Sequence, residues 1–349
     1  MRKTRLFILL AVYLAVFTVS CKKTTETPRG KYAVGVFVVN EGNFTEANGS
    51  VGFYNPQDQS VVADVYAEEN GVAPGGVLQS VYFYNNLAFI IDQVGSRIEV
   101  VEAETFKPVA AIETGLSTPR YMVVANGKGY VSNWGPFDSN FNLPESFVAV
   151  IDLNDFMVSK TIPATSGPEG LFVFGNQVLV AASFAAEVQI LDTDNDSFTG
   201  KIDVADGPKT FVEDKNGKVW LLSSSYVTGA ALSQLDAAAG TVLKSFPISS
   251  SAMRLAINGS GDRLYYLAAP FGADAEVKTV GIDATEDASE ALITAPNLYG
   301  LGVDPASGII YVGNHNGFQG NGTVLRYDGT TMLDSFAAGV GPNGFVFRQ

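Results

Sequence analysis

Cysteine is nearly absent: Cys21 is the only one in 349 residues. A chain with one cysteine makes no internal disulfide, so its fold must rest on its core. Histidine is as scarce. With His315 alone, no histidine pair exists to hold a catalytic metal, and no Gly-x-Ser-x-Gly elbow leads to a Ser-His-Asp arrangement. A satisfied or exposed loop histidine is the plainer reading of His315. Basic residues are few: 22 Lys and Arg against 36 Asp and Glu leave a net charge of −14, with no basic stripe to offset it. Such a field repels phosphate backbones, which argues against nucleic acid as a partner. No stretch carries a long helical period. What is plentiful is apolar: 46% hydrophobic residues with 17% charged residues describe a chain with a large core, not a disordered one.

The N-terminus reads as an export signal. Arg2, Lys3 and Arg5 precede an apolar run, Leu6–Val19, that is short for a membrane span and right for a signal-peptide core. Thr18-Val-Ser-Cys21 resembles the lipobox of bacterial lipoproteins, although Thr18 stands where Leu is usual. The resemblance implies cleavage after residue 20 and acylation of Cys21, and ordinary secretion is the alternative. More than one acyl chain would anchor the protein firmly. Lys22, in place of the Asp that favours inner-membrane retention, implies the outer membrane. Residues 21–31 read as a lipidated, polar tether and residues 32–349 as the folded domain.

The folded part repeats. Phe89, Tyr130, Leu179, Trp220, Tyr265 and Tyr311 occupy matching positions in apolar segments 41 to 49 residues apart, the period of a four-stranded propeller blade. Six units are complete. A seventh begins at Gly35–Asn40 without a first strand, and Pro342–Arg348 resembles the openings Pro168–Phe174 and Pro119–Val124. The expectation is an all-β, seven-bladed β-propeller, rather than six or eight blades, closed by the C-terminal strand completing the N-terminal blade.

Tyr130-Val-Ser-Asn133 and Tyr311-Val-Gly-Asn314 resemble the YVTN-type repeat of bacterial surface-layer and YncE-like propellers. Asn40–Phe44, Gly49–Asn55 and Thr118–Met122 are similar to segments of surface-lipoprotein propellers that accompany TonB-dependent transporters, among them surface cobalamin-binding proteins. The resemblance implies a small-molecule ligand and a TonB-dependent outer-membrane transporter as partner. It says little about which ligand, because function lives in sites grafted on folds.

Propeller geometry puts the loops after the second and fourth strands on one face. The former carry Asn43 and Phe44, then Asn133, Trp134, Phe137 and Phe141, then Phe184, Tyr226 and Phe271, and finally Asn314, His315 and Phe318. Asp92–Ser96 alone lacks an aromatic. The latter add Gln79, Arg120, Tyr121, Glu169, Lys209, Arg254 and Tyr299. Flat rings beside polar handles suit a planar or sugar-like ligand at a wide mouth. The candidate binding residues are those of the first set with Arg120 and Tyr121. One aromatic per loop can instead plug the space between neighbouring blades. Asp192, Asp194 and Asp196 resemble the start of a calcium loop, but Ser197 replaces its glycine and a turn accounts for them better. Glu41, Asp92, Asn133 and Asn314 are candidates for metal ligands only if they cluster, as in calcium-dependent propeller lactonases. No catalytic residue, metal or cofactor is assigned. Three functions follow: capture of a corrinoid, iron chelate or glycan; an envelope interaction scaffold; and a metal-dependent hydrolase or lyase.

Overall fold

A computed structural model describes residues 30–248 and 251–349. The signal segment, Cys21 and the tether as far as residue 29 lie outside the described residues. Lys31 already belongs to the folded unit, its ammonium 2.9 Å from the Glu69 carboxylate.

Strands arise where β-branched and aromatic residues alternate or run together between Gly and Asn turns. They form seven four-stranded antiparallel sheets, each taken in chain order from the channel outward, and so a seven-bladed propeller. The exception proves to be the closure expected from sequence. In the first blade Pro342–Arg348 is innermost and pairs antiparallel with Gly35–Asn40, so the two ends of the domain share one sheet.

The core of the described residues is divided. Seven apolar clusters fill the seven joints between adjacent blades. Second strands are therefore covered on both faces, and Gly35–Asn40 is buried throughout. Fourth strands face solvent and alternate, as in Met157–Pro163. The last joint is clasped by Arg326, whose guanidinium lies 4.7 Å from the Tyr54 ring and bonds the Tyr54 hydroxyl at 2.5 Å. At the joint between the first two blades a short helix, α1 (Val65–Asn70), follows a two-residue fourth strand. Asp64 caps it, accepting the Tyr66 and Ala67 amides, and Gly71 ends it at φ +73. Its buried Val65 and Tyr66 extend the joint.

Inner strands converge around the channel, and small residues allow it. A β-carbon on Gly170 would stand 2.2 Å from the Lys209 carbonyl oxygen of the next blade.

Candidate functional site

One hydrogen bond recurs in every blade. A residue at the end of the second strand or just after it donates its amide to the carbonyl just before the inner strand: Glu41 to Gly341, Gln93 to Val77, Trp134 to Thr118, Ser183 to Gly167, Ser224 to Gly207, Ala269 to Ser251 and His315 to Asn297. This ties the two sets of loops together and confirms that they share a face.

A second recurrence lies one step deeper. Each inner strand breaks register near its second residue: at Gln79, Arg120, Glu169, Lys209, Arg254, Tyr299 and Asn343. A bulge leaves a residue unpaired and re-aims its side chain. Here the re-aimed residues are all polar or tyrosine, and they meet at the channel mouth. Arg254 adopts φ +62, strained for a residue with a β-carbon.

Four of them, Glu169, Arg120, Tyr299 and Arg254, form a chain of contacts with Gln93 and Glu41. Arg120 bonds Glu169 through Nε and Nη2, both at 3.0 Å, and also bonds Gln93. Gln93 donates to Glu41 at 3.4 Å, and Glu41 accepts the Tyr299 hydroxyl. The Arg254 Nε donates to the Tyr299 carbonyl at 3.2 Å and its guanidinium faces the Tyr299 ring. Burial, with Glu41 beside it, holds the Tyr299 hydroxyl protonated far above its ordinary pKa. Gln79 donates to the Tyr121 hydroxyl at 2.8 Å. Below lies a cavity of about 250 Å³, lined by Gln79, Tyr121, Thr210, Arg254 and Asn343 with apolar Leu255, Leu301 and Phe345.

The aromatics expected at the rim do not plug the joints. Phe44, Phe137, Phe141, Phe184, Tyr226 and Phe271 are all exposed, Tyr226 and Phe271 fully. Nor do they form one ring. Trp134, Phe137 and Phe184 make one edge-to-face cluster, with Trp134 4.1 Å from the Arg120 guanidinium and 5.4 Å from Phe184. His315 stacks on Phe318 at 4.3 Å, and both pack on Tyr299. The Arg120–Gln93–Glu41–Tyr299 chain joins the two clusters. Phe44, Phe141, Tyr226 and Phe271 make no ring contact with either among the described residues.

Three asparagines are engaged by nearby backbone. Asn133 is fully buried; its amide donates to the Val131 carbonyl and accepts the Ser117 amide. Asn314 donates to the Pro296 carbonyl and accepts the Asn316 amide. Asn43 folds its own loop by accepting the Thr45 amide. Short amides readily bond nearby backbone in this way. His315 likewise accepts the Gly317 amide at Nδ1, so its ring is neutral, and burial lowers its pKa.

The metal grouping does not assemble. Asp92 accepts the Val77 and Gly95 amides, Asn133 and Asn314 are engaged as above, and only Glu41 reaches the channel chain. Asp196 pairs with Lys128 at 2.6 Å and Asp192 closes its own turn. Among the described residues no three His, Cys, Asp or Glu side chains are grouped to hold a metal. Gln93, Asn343 and Glu169 were not among the candidate binding residues. The sign that marks Glu169 and Asn343 is a polar residue directly after the proline that opens the inner strand.

The fold and site define a seven-bladed propeller with a polar, cation-bearing channel mouth under an aromatic rim. Residues 34–333 match the family described as a domain of unknown function, DUF5074, and the chain belongs to it. No curated protein matches the sequence. In structure the chain is similar to a periplasmic gluconolactonase of Pseudomonas aeruginosa, with a TM-score of 0.69 and 12% identity over 90% of this chain and 99% of that one. It is also similar to a quinonprotein alcohol dehydrogenase-like protein of Bacteroides thetaiotaomicron, at 0.68 and 14% over 91% and 79%. A third similar structure is a putative 6-phosphogluconolactonase of Bacteroides fragilis, at 0.67 and 10% over 93% and 100%. At these identities the likeness is one of fold.

Proposed function

We propose that this propeller captures a small molecule at the loop-face mouth and carries out no chemistry on it. The observation that carries the reading is the exposure of the rim: Phe137 and Phe184 stay about half exposed beside Trp134 although inter-blade packing was open to them. Apolar rings held at a concave, polar mouth are a recurrent ligand-binding arrangement. Trp134, Phe137, Phe184, Tyr299 and Phe318 supply flat contact area. Arg120, Gln93 and Glu41 supply directional hydrogen bonds from a preorganised network, which reduces the entropy lost on binding.

The lipobox resemblance adds an anchor at Cys21 and an outer-membrane location. The resemblance to transporter-associated propellers adds transfer to a TonB-dependent transporter, with corrinoids, iron chelates and glycans as ligand classes. Titration of the purified chain with cobamides, ferric siderophores, haem and glycans, followed by tryptophan fluorescence and melting temperature, tests the reading. Saturable binding by one class supports it, and no response to any of them overturns it. Docking of an envelope protein is a second reading, favoured by Phe141, Tyr226 and Phe271, which stand exposed apart from both clusters.

A further inference from the structure

Two cations at the channel mouth have no partner of opposite charge in contact among the described residues. Arg120 is matched by Glu169. Arg254 uses only Nε, and toward a backbone carbonyl; its terminal nitrogens bond nothing among the described residues. Lys209, at the matching position of the preceding blade, makes no hydrogen bond or ion pair among them. Burial pulls the Lys209 ammonium below its ordinary pKa; Glu169 opposes this, while the charges of Arg120 and Arg254 add to it. The two cations stand at matching bulges of adjacent inner strands, in one neighbourhood with Arg120 and the carboxylates Glu169 and Glu41.

Both side chains are half-buried, and Glu41 and Glu169 favour the charge of Arg254 without touching it; cations that lose part of their hydration, at a cost, are ordinarily paired by contact in proteins. Here the strain of Arg254 at φ +62 adds to the cost. Both costs are offset if an anion completes the site. Tyr121 and Thr210, each with a hydroxyl able to donate to an oxyanion, line the cavity beside Arg254, and the Asn343 amide there is turned to the Leu78 and Gln79 carbonyls. Guanidinium and ammonium together match carboxylate or phosphate oxygens, the former in a two-point fork. The overall charge of −14 opposes an anion only at long range, because salt screens exposed charges beyond about 8 Å.

We propose that Arg254 and Lys209 form an oxyanion site in the channel, which seats a carboxylate or phosphate carried by the ligand. This rests on the loop-face reading and extends it: the rim would hold the ligand's apolar body while the two cations hold its acidic group.

The test uses the purified full chain with two probes, inorganic phosphate and gluconate, against chloride at matched ionic strength. An amine-directed label with peptide mapping reads Lys209, and titration calorimetry reads affinity. One or both oxyanions should saturably protect Lys209 while chloride does not, and the probe that protects identifies the group as phosphate or carboxylate. Arg254→Gln and Lys209→Gln should each weaken binding about tenfold or more, the loss expected for a charged hydrogen bond. Arg254→Lys should retain part of it, which separates lost charge from misfolding. Lys209 labelling that neither probe changes beyond chloride overturns the site. The probes carry no flat apolar surface, so they report on the cations alone. A rim ligand bound equally by wild type and Arg254→Gln, with both probes inert, keeps the loop-face reading and removes the oxyanion site. Protection by a probe with no rim ligand does the reverse.

Discussion

Arg120 and Glu169 join the third and fourth blades through two parallel bonds of 3.0 Å, with both side chains about 11% exposed. The pair is the most enclosed charge contact on the loop face, and it fixes the plane against which Trp134 lies. Removing one partner leaves the other buried and unmatched, which costs more than a surface pair ever contributes. Glu169→Ala should lower stability by about 2 kcal/mol in urea unfolding. Glu169→Gln, which still accepts a bond, should lose less. Equal and negligible losses would mean that channel water already satisfies Arg120.

The closing strand makes a second prediction. Pro342–Arg348 completes the first blade and sends Phe345 and Phe347 against Tyr311 of the seventh. Deleting residues 342–349 bares the inner edge of Gly35–Asn40 and opens one joint. The melting temperature should fall sharply with a gain in aggregation, as expected of an exposed edge. A peptide spanning 342–349 should restore part of the loss. A deleted chain that melts as the intact one does would show that the ring does not depend on this closure.

His315 gives a pH prediction. Its folded pKa lies below the ordinary value of about 6.5 because burial disfavours the charged ring. The unfolded chain therefore takes up the proton first as pH falls. The stability tied to neutral His315 is full above about pH 6.5 and is lost as pH drops through that value toward the folded pKa. His315→Gln should flatten this part of the stability profile. The check is unfolding at closely spaced pH values in both proteins.

The architecture was legible in the sequence because each blade repeats the same burial problem. Second strands lie between two joints, so Val178–Ala182 or Leu264–Ala268 must be apolar throughout, and the repeat stands out. The split blade was legible because Pro342–Arg348 repeats the opening of complete blades. The rim aromatics were legible as residue types, but their grouping was not. Whether Phe184 meets Trp134 while Phe271 meets nothing depends on loop paths across two blades. The backbone bonds of Asn133 and Asn314 were not legible, because an asparagine beside a turn serves its own backbone as readily as a ligand. Most residues of the channel network were placed at the mouth, but their linkage was not legible, because a bulge changes where a side chain points without changing the residue. Lys209 and Arg254 read as ordinary loop cations until their register is known.

The tryptophans separate site from core. Trp220 is fully buried and bonds Asp214, whereas Trp134 is partly exposed beside Phe184. Acrylamide should quench one fluorescence component and spare the other, and Trp134→Phe should remove the quenched one. A ligand at the mouth should protect that component alone. Quenching that a ligand leaves unchanged would place its binding away from this cluster.

The measurement that bears most directly on ligand capture is calorimetric titration of wild type and a Trp134→Ala, Phe184→Ala double variant with the same cobamide, siderophore, haem and glycan panel. One ligand class should bind wild type with one site per chain. The variant, folded by circular dichroism, should bind it at least about tenfold more weakly, as loss of buried aromatic contacts requires. No binding by wild type, or equal binding by both proteins, would show that this mouth does not capture the ligand.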